Sequence, residues 1–229
     1  MTEIVRVMVE SGKKKVVASA FDWIGWERNS LSEADALAVL AAYRPRYAKV
    51  AELAGLADEF QAATDVRVVE RVEGTGSTDF HGISMRSAAP EYLPMTAAEL
   101  ERKTALLRAC WAYFDATALR VSAEMRSGPR GGGRDRTKIV RHTLFAETHE
   151  FTKKVGVATP FEELLTPDGL AGHREAYVDG IREASARGVM ARSWTLQFTI
   201  RRTAYHLLDH AWEMEDKYLT GEAGRTAGT

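Results

Sequence analysis

His206 and His210 stand four residues apart in Arg202-Thr203-Ala204-Tyr205-His206-Leu207-Leu208-Asp209-His210, inside an unbroken helical pattern. In a helix this spacing sends both imidazoles off one face, one turn apart, where a divalent cation can take a nitrogen from each. Arg202 lies one turn before His206, and Glu213 follows His210 by three residues. Ala204, Leu207, Leu208 and Ala211 flank these polar groups, so the face reads as one that is buried or lines a cleft. Two nitrogens are not yet a site. A second segment, Lys138-Ile139-Val140-Arg141-His142-Thr143-Leu144-Phe145-Ala146-Glu147-Thr148-His149, offers a third, because His142 sits on or beside its apolar stripe. An imidazole there needs a partner, and a metal or a hydrogen bond would serve equally. His149, about two turns further along that face, reads as an outer ligand, a proton shuttle or a solvated end. The pattern is neither the HExxH of zinc proteases nor a cysteine zinc motif.

The elements that must carry these residues change character along the chain. Residues 4–9 and 15–21 are short Val- and Ile-rich runs separated by Ser11-Gly12-Lys13, which predicts a hairpin. Ser32 opens a helix start, and a helix over about 33–53 is expected to kink or split at Pro45, which cannot donate to the ladder. Residues 66–72 have strand character and end at Gly74-Thr75-Gly76-Ser77. Residues 1–85 thus read as a small β-β-α-β module. From Thr96 the pattern turns to long helices, over about 97–125, 135–156, 172–187 and 193–219. Residues 96–220 therefore read as four helices burying their apolar stripes together, and the fold class is α+β. The stretch Ser127 to Arg134 reads as a flexible linker, or as an anion cradle using Arg130, Arg134 or Arg136 at the next helix start.

Composition narrows the function classes. The 229 residues are 45% hydrophobic and 28% charged with a net charge of −1, so no basic surplus points to nucleic acid. With no signal-like start and no run of about 18 apolar residues, a cytoplasmic protein without membrane association is expected. The single cysteine, Cys110, is set in an apolar helix and reads as a small buried hydrophobe. Trp23 and Trp26 read as core, or as the contact surface of a noncatalytic scaffold.

Ile139-Val140-Arg141-His142 with Glu147, together with the stretch from Arg202 to Glu213, resembles the DinB-like superfamily of four-helix metalloproteins. The resemblance covers about 96–219 and implies a three-histidine metal site made of His142, His206 and His210. It implies a divalent metal, zinc first and nickel, iron or manganese next, and a low-molecular-weight thiol such as mycothiol or bacillithiol. Members of the superfamily include thiol transferases, a mycothiol-dependent maleylpyruvate isomerase and the helical domain of ergothioneine-type sulfoxide synthases. The last group shows HxxxHxE, whereas this chain has Trp212 at that place and its carboxylate at Glu213. The N-terminal part resembles HicB-like β-β-α-β modules, which implies a fold only.

Three neutral imidazoles leave a divalent ion at least one open position. The expected chemistry is metal-dependent thiol transfer or isomerisation on a small electrophilic molecule, with metal-dependent hydrolysis as the alternative. Glu213 or His149 would serve as base and Arg202 as an anion clamp. A noncatalytic binding protein with a structural metal, or none, is the reading from a different class. A homodimer is expected by analogy with helical bundles.

Overall fold

The computed structural model describes residues 4–127, 133–188 and 194–219. Its first part is a four-stranded sheet made of β1 (Ile4–Ser11), β2 (Val16–Ala20), β3 (Glu27–Ser30) and β4 (Asp65–Glu73), in the order β3-β2-β1-β4. β1 pairs antiparallel with β2, and β2 with β3, whereas β4 lies parallel to β1. A parallel pair needs a crossover, supplied here by α1 (Glu33–Ala42), α2 (Arg44–Leu53) and α3 (Ala57–Ala62). The break between α1 and α2 falls where Pro45 stands in the first turn of α2, and Ser32 caps α1 by accepting from the Asp35 amide.

The expected β-β-α-β order is corrected to β-β-β-α-α-α-β, followed by the short α4 (Gly76–His81). β3 escapes a hydrophobic reading because its residues are Glu-Arg-Asn-Ser, and Glu27 and Arg28 are buried through polar partners instead. Trp23 and Trp26 are core, packed with Tyr47 and Phe60 at ring separations of 4.8 to 6.2 Å, which removes them as an exposed contact surface. Cys110 is buried as expected, and burial pushes its thiol well up.

Long helices follow: α5 (Ala97–Arg120), α6 (Arg136–Ala146), α7 (Pro167–Ala186) and α8 (Leu196–Lys217). Each begins at a side-chain cap, from Thr96, Asp135, Thr166 and Thr195 respectively. α5 stops at Arg120 and not near residue 125. α7 starts five residues before the expected 172, because Thr166 caps it and Pro167 fits its first position. The helix expected over 135–156 is α-helical only to Ala146, then widens into a π-turn (Glu147–Phe151) and tightens into a 3₁₀ turn (Thr152–Val155). Residues 128–132, with Arg130 of the suggested anion cradle, lie outside the described residues, as do residues 193 and 220 at the expected boundaries. Arg136 donates to the Val121 carbonyl at 3.1 Å, which ties the start of α6 to the end of α5.

α5 runs along α8, α6 lies against α8, and α7 touches both α5 and α8. The apolar core is continuous from Val5, Val7 and Val9 of β1 through Leu106 and Phe114 of α5 to Ile139, Tyr177, Leu207 and Trp212. This core fixes the roll of each helix and so decides which residues face one another. Among the described residues no helix is long and apolar enough to cross a membrane.

Candidate metal centre

The buried side of α8, including Leu207, Leu208, Ala211 and Met214, anchors the helix in the core. Buried Ile139 and Thr143 do the same for α6. With both rolls set, His206 and His210 look across to His142, and one ligand nitrogen from each lies within 4.8 Å of the others. Ring centroids are 4.6 Å apart for His206 and His210, 4.9 Å for His142 and His210, and 5.3 Å for His142 and His206. The group could hold a metal ion.

His210 is the best oriented of the three. Its Nδ1 donates to Glu213 Oε2 at 2.8 Å, and the other carboxylate oxygen accepts from Lys217 Nζ at 2.8 Å. A carboxylate only accepts, so Nδ1 carries the hydrogen and Nε2 is the nitrogen left to face a metal, the arrangement that orients a ligating histidine. Burial works against ionisation of Glu213, but the hydrogen bonds from His210 and Lys217 outweigh it and bring the pKa to about 2. Such a carboxylate is a poor proton acceptor near neutrality. Burial, then the neighbouring His210, lowers the pKa of His142 and takes that of His206 well down. Both shifts favour the neutral, ligating imidazole.

The other expected residues divide. Arg202 is buried one turn before His206, with its guanidinium 5.0 Å from the Tyr205 ring centre and Nη1 without a hydrogen-bond partner. His149 stands apart from the three-histidine group, stacked on Phe145 at 3.8 Å with Nδ1 3.0 Å from the Phe145 carbonyl. The chain's turn into π geometry explains this, since a wider turn breaks the helical spacing that would have carried His149 along the face of His142.

Several residues were not legible beforehand. Phe151 leaves the π-turn buried, with its ring 5.5 Å from His206 and 6.4 Å from Trp194. Lys217 completes the chain His210–Glu213–Lys217, and its spacing of four from Glu213 was the available signal. A second polar group gathers Glu147, Trp111, His173 and Arg174: Trp111 Nε1 donates to Glu147 Oε2 at 3.2 Å, and His173 Nδ1 lies 2.8 Å from Thr159 Oγ1. Burial raises the Glu147 carboxyl and, with Arg174, lowers the His173 imidazole to about 4. Comparison with protein-family models, curated proteins and solved structures returns no match.

Proposed function

We propose that this protein is a metal-dependent enzyme of the DinB-like four-helix type that uses a low-molecular-weight thiol, such as mycothiol, to transfer to or isomerise a small electrophile. The observation that carries the reading is the meeting of three imidazole nitrogens from α6 and α8 within 4.8 Å. The donor set fits a divalent cation, zinc first, because all three are imidazole nitrogen ligands and His210 has its outer nitrogen committed to Glu213. When bound, the cation would lower the pKa of a thiol or water brought to it.

The chain's own residues supply the rest. Glu213 has both oxygens engaged, so its part is to aim His210, with Lys217 holding it in turn. Arg202, buried and with an unpaired nitrogen one turn from His206, is placed to receive the negative end of a substrate. His149, exposed beside the π-turn, is the remaining base candidate: donating Nδ1–H to the Phe145 carbonyl would leave Nε2 able to accept a proton. Phe151 closes one side of the histidines and keeps water from that flank.

Two measurements test the proposal. Metal content of the purified protein should be near one divalent ion per chain and should collapse in His206→Ala/His210→Ala. Metal-loaded protein should convert a reactive electrophile only when a small thiol is added. Equal turnover without thiol would replace the transferase with a hydrolase. Metal-free protein whose variant behaves like wild type would leave a noncatalytic scaffold.

A further inference from the structure

Where the π-turn packs on α7, three side chains end at one point. Glu147 opens the turn, and His173 and Arg174 stand side by side on the helix. Glu147 Oε1, His173 Nε2 and Arg174 Nε are each enclosed by protein, and among the described residues none of the three has a hydrogen-bond partner. They are close neighbours all the same, with Oε1 3.5 Å from Arg174 Nε and 3.9 Å from His173 Nε2. A buried donor or acceptor left unmet forfeits the bonds it made to water, so three at one place call for a common partner.

The other polar atoms of these side chains are engaged. Glu147 Oε2 accepts from Trp111 Nε1 at 3.2 Å, Arg174 donates through Nη1 and Nη2 to the Asp115 carboxylate, and His173 Nδ1 lies 2.8 Å from Thr159 Oγ1. Closing the gap directly would therefore pull Glu147 from Trp111 or Arg174 from Asp115. The Arg174 guanidinium opposes a cation at this point, and the Glu147 carboxyl opposes an anion. An apolar molecule would satisfy none of the three atoms. The group needs a molecule that both donates and accepts, and the spacing admits one oxygen. Separations of 3.5 to 3.9 Å exceed a hydrogen bond, yet an oxygen lying off the line between the atoms can reach them all.

We propose that one buried water molecule occupies this point, accepting from Arg174 Nε–H, donating to Glu147 Oε1 and completing a third bond at His173 Nε2. Three bonds to otherwise unmet groups is the usual complement of an internal water. A protein-only link runs beside it, since Thr148 Oγ1 donates to the Thr159 carbonyl at 2.6 Å and Thr159 Oγ1 meets His173. Water and Thr159 together fasten the π-turn to α7. The same turn ends at Phe151, whose ring lies against His206, so the water braces one wall of the histidine group from behind. The proposal does not depend on that group holding a metal.

The test uses the full-length protein treated with chelator. In its crystal structure a density peak within about 2.7–3.2 Å of all three atoms is expected in every copy. No peak, or a peak that reaches fewer than three of them, overturns the proposal. In solution, oxygen-17 relaxation dispersion counts internal water molecules with long residence times. Glu147→Met, which keeps the length of the side chain and removes the acceptor, should count one fewer than wild type. Equal counts overturn the proposal, and if the variant does not fold the wild-type density alone decides it.

Discussion

Two polar groups on α8 lie little more than a turn apart and have opposite designs. Arg201 is buried and meets Glu91 at 2.8 Å, Glu27 at 3.2 Å and the Arg86 carbonyl at 2.8 Å. Glu27 in turn accepts from Ser19 at 2.6 Å and from the Ser84 amide at 2.9 Å. Each charge there is answered by another part of the chain, so the network joins sheet, helix and the 84–91 segment and has nothing left to offer a ligand. The histidine group answers nothing within itself: three imidazoles bring ligand nitrogens together, and among the described residues Glu213 and Lys217 stand behind one of them. Density of titratable residues therefore does not identify a site. What separates them is whether the donors and acceptors are matched or all of one kind.

The sharpest way to break this contrast is Arg201→Met. It should strand Glu27 and Glu91 and cost about 3–5 kcal/mol in urea unfolding, with metal stoichiometry of the folded fraction unchanged. A loss of metal with little loss of stability would erase the distinction. His206→Ala should do the opposite, lowering metal affinity by roughly a hundredfold or more in a competition titration, while stability in chelator changes by only about 1 kcal/mol. Glu213→Gln tests the support of His210. Metal affinity should drop roughly tenfold to a hundredfold, and Lys217→Met should follow in the same direction with a smaller effect.

The smallest expected effect concerns His173, a histidine that the fold buries for structure. Burial and Arg174 hold its folded pKa near 4, below the ordinary 6.5. The unfolded chain therefore takes up the proton first, so this contribution to stability is complete above about pH 6.5 and is lost as pH falls toward 4. Glu147, raised by burial, slopes the other way in acid, so the comparison is between wild type and His173→Gln. Urea unfolding of the variant should show a flatter pH dependence, by on the order of 1–2 kcal/mol across that window. An unchanged slope would reject the assignment.

Much of the local structure was legible because it is written in short-range chemistry. Ser32, Thr96 and Asp135 cap helices where expected, Pro45 divides one, and strands β1, β2 and β4 carry β-branched runs, whereas the cap at Thr166 went unread. β3 was invisible because its buried residues are Glu27 and Arg28, whose burial depends on Arg201 and Asp209 far along the chain. Of the three readings of His149, the solvated end agrees with its exposure and the outer ligand does not, because helical spacing extrapolates a regular turn and the π-turn at Glu147 is not regular. Phe151 and Trp194 gave no signal as a pair, since nothing but folding brings residue 151 beside residue 194.

By itself the sequence determined that His206 and His210 share one face of a helix, because a period of 3.6 residues leaves no other place for them. It also offered His142 beside an apolar stripe, although the fold leaves that side chain exposed and so does not itself demand a partner for it. That the three nitrogens meet and that Glu213 turns to His210 and Lys217 were decided only in three dimensions. The physical reason is that core packing sets the roll and crossing of α6 and α8, and packing is a property of all the apolar contacts at once.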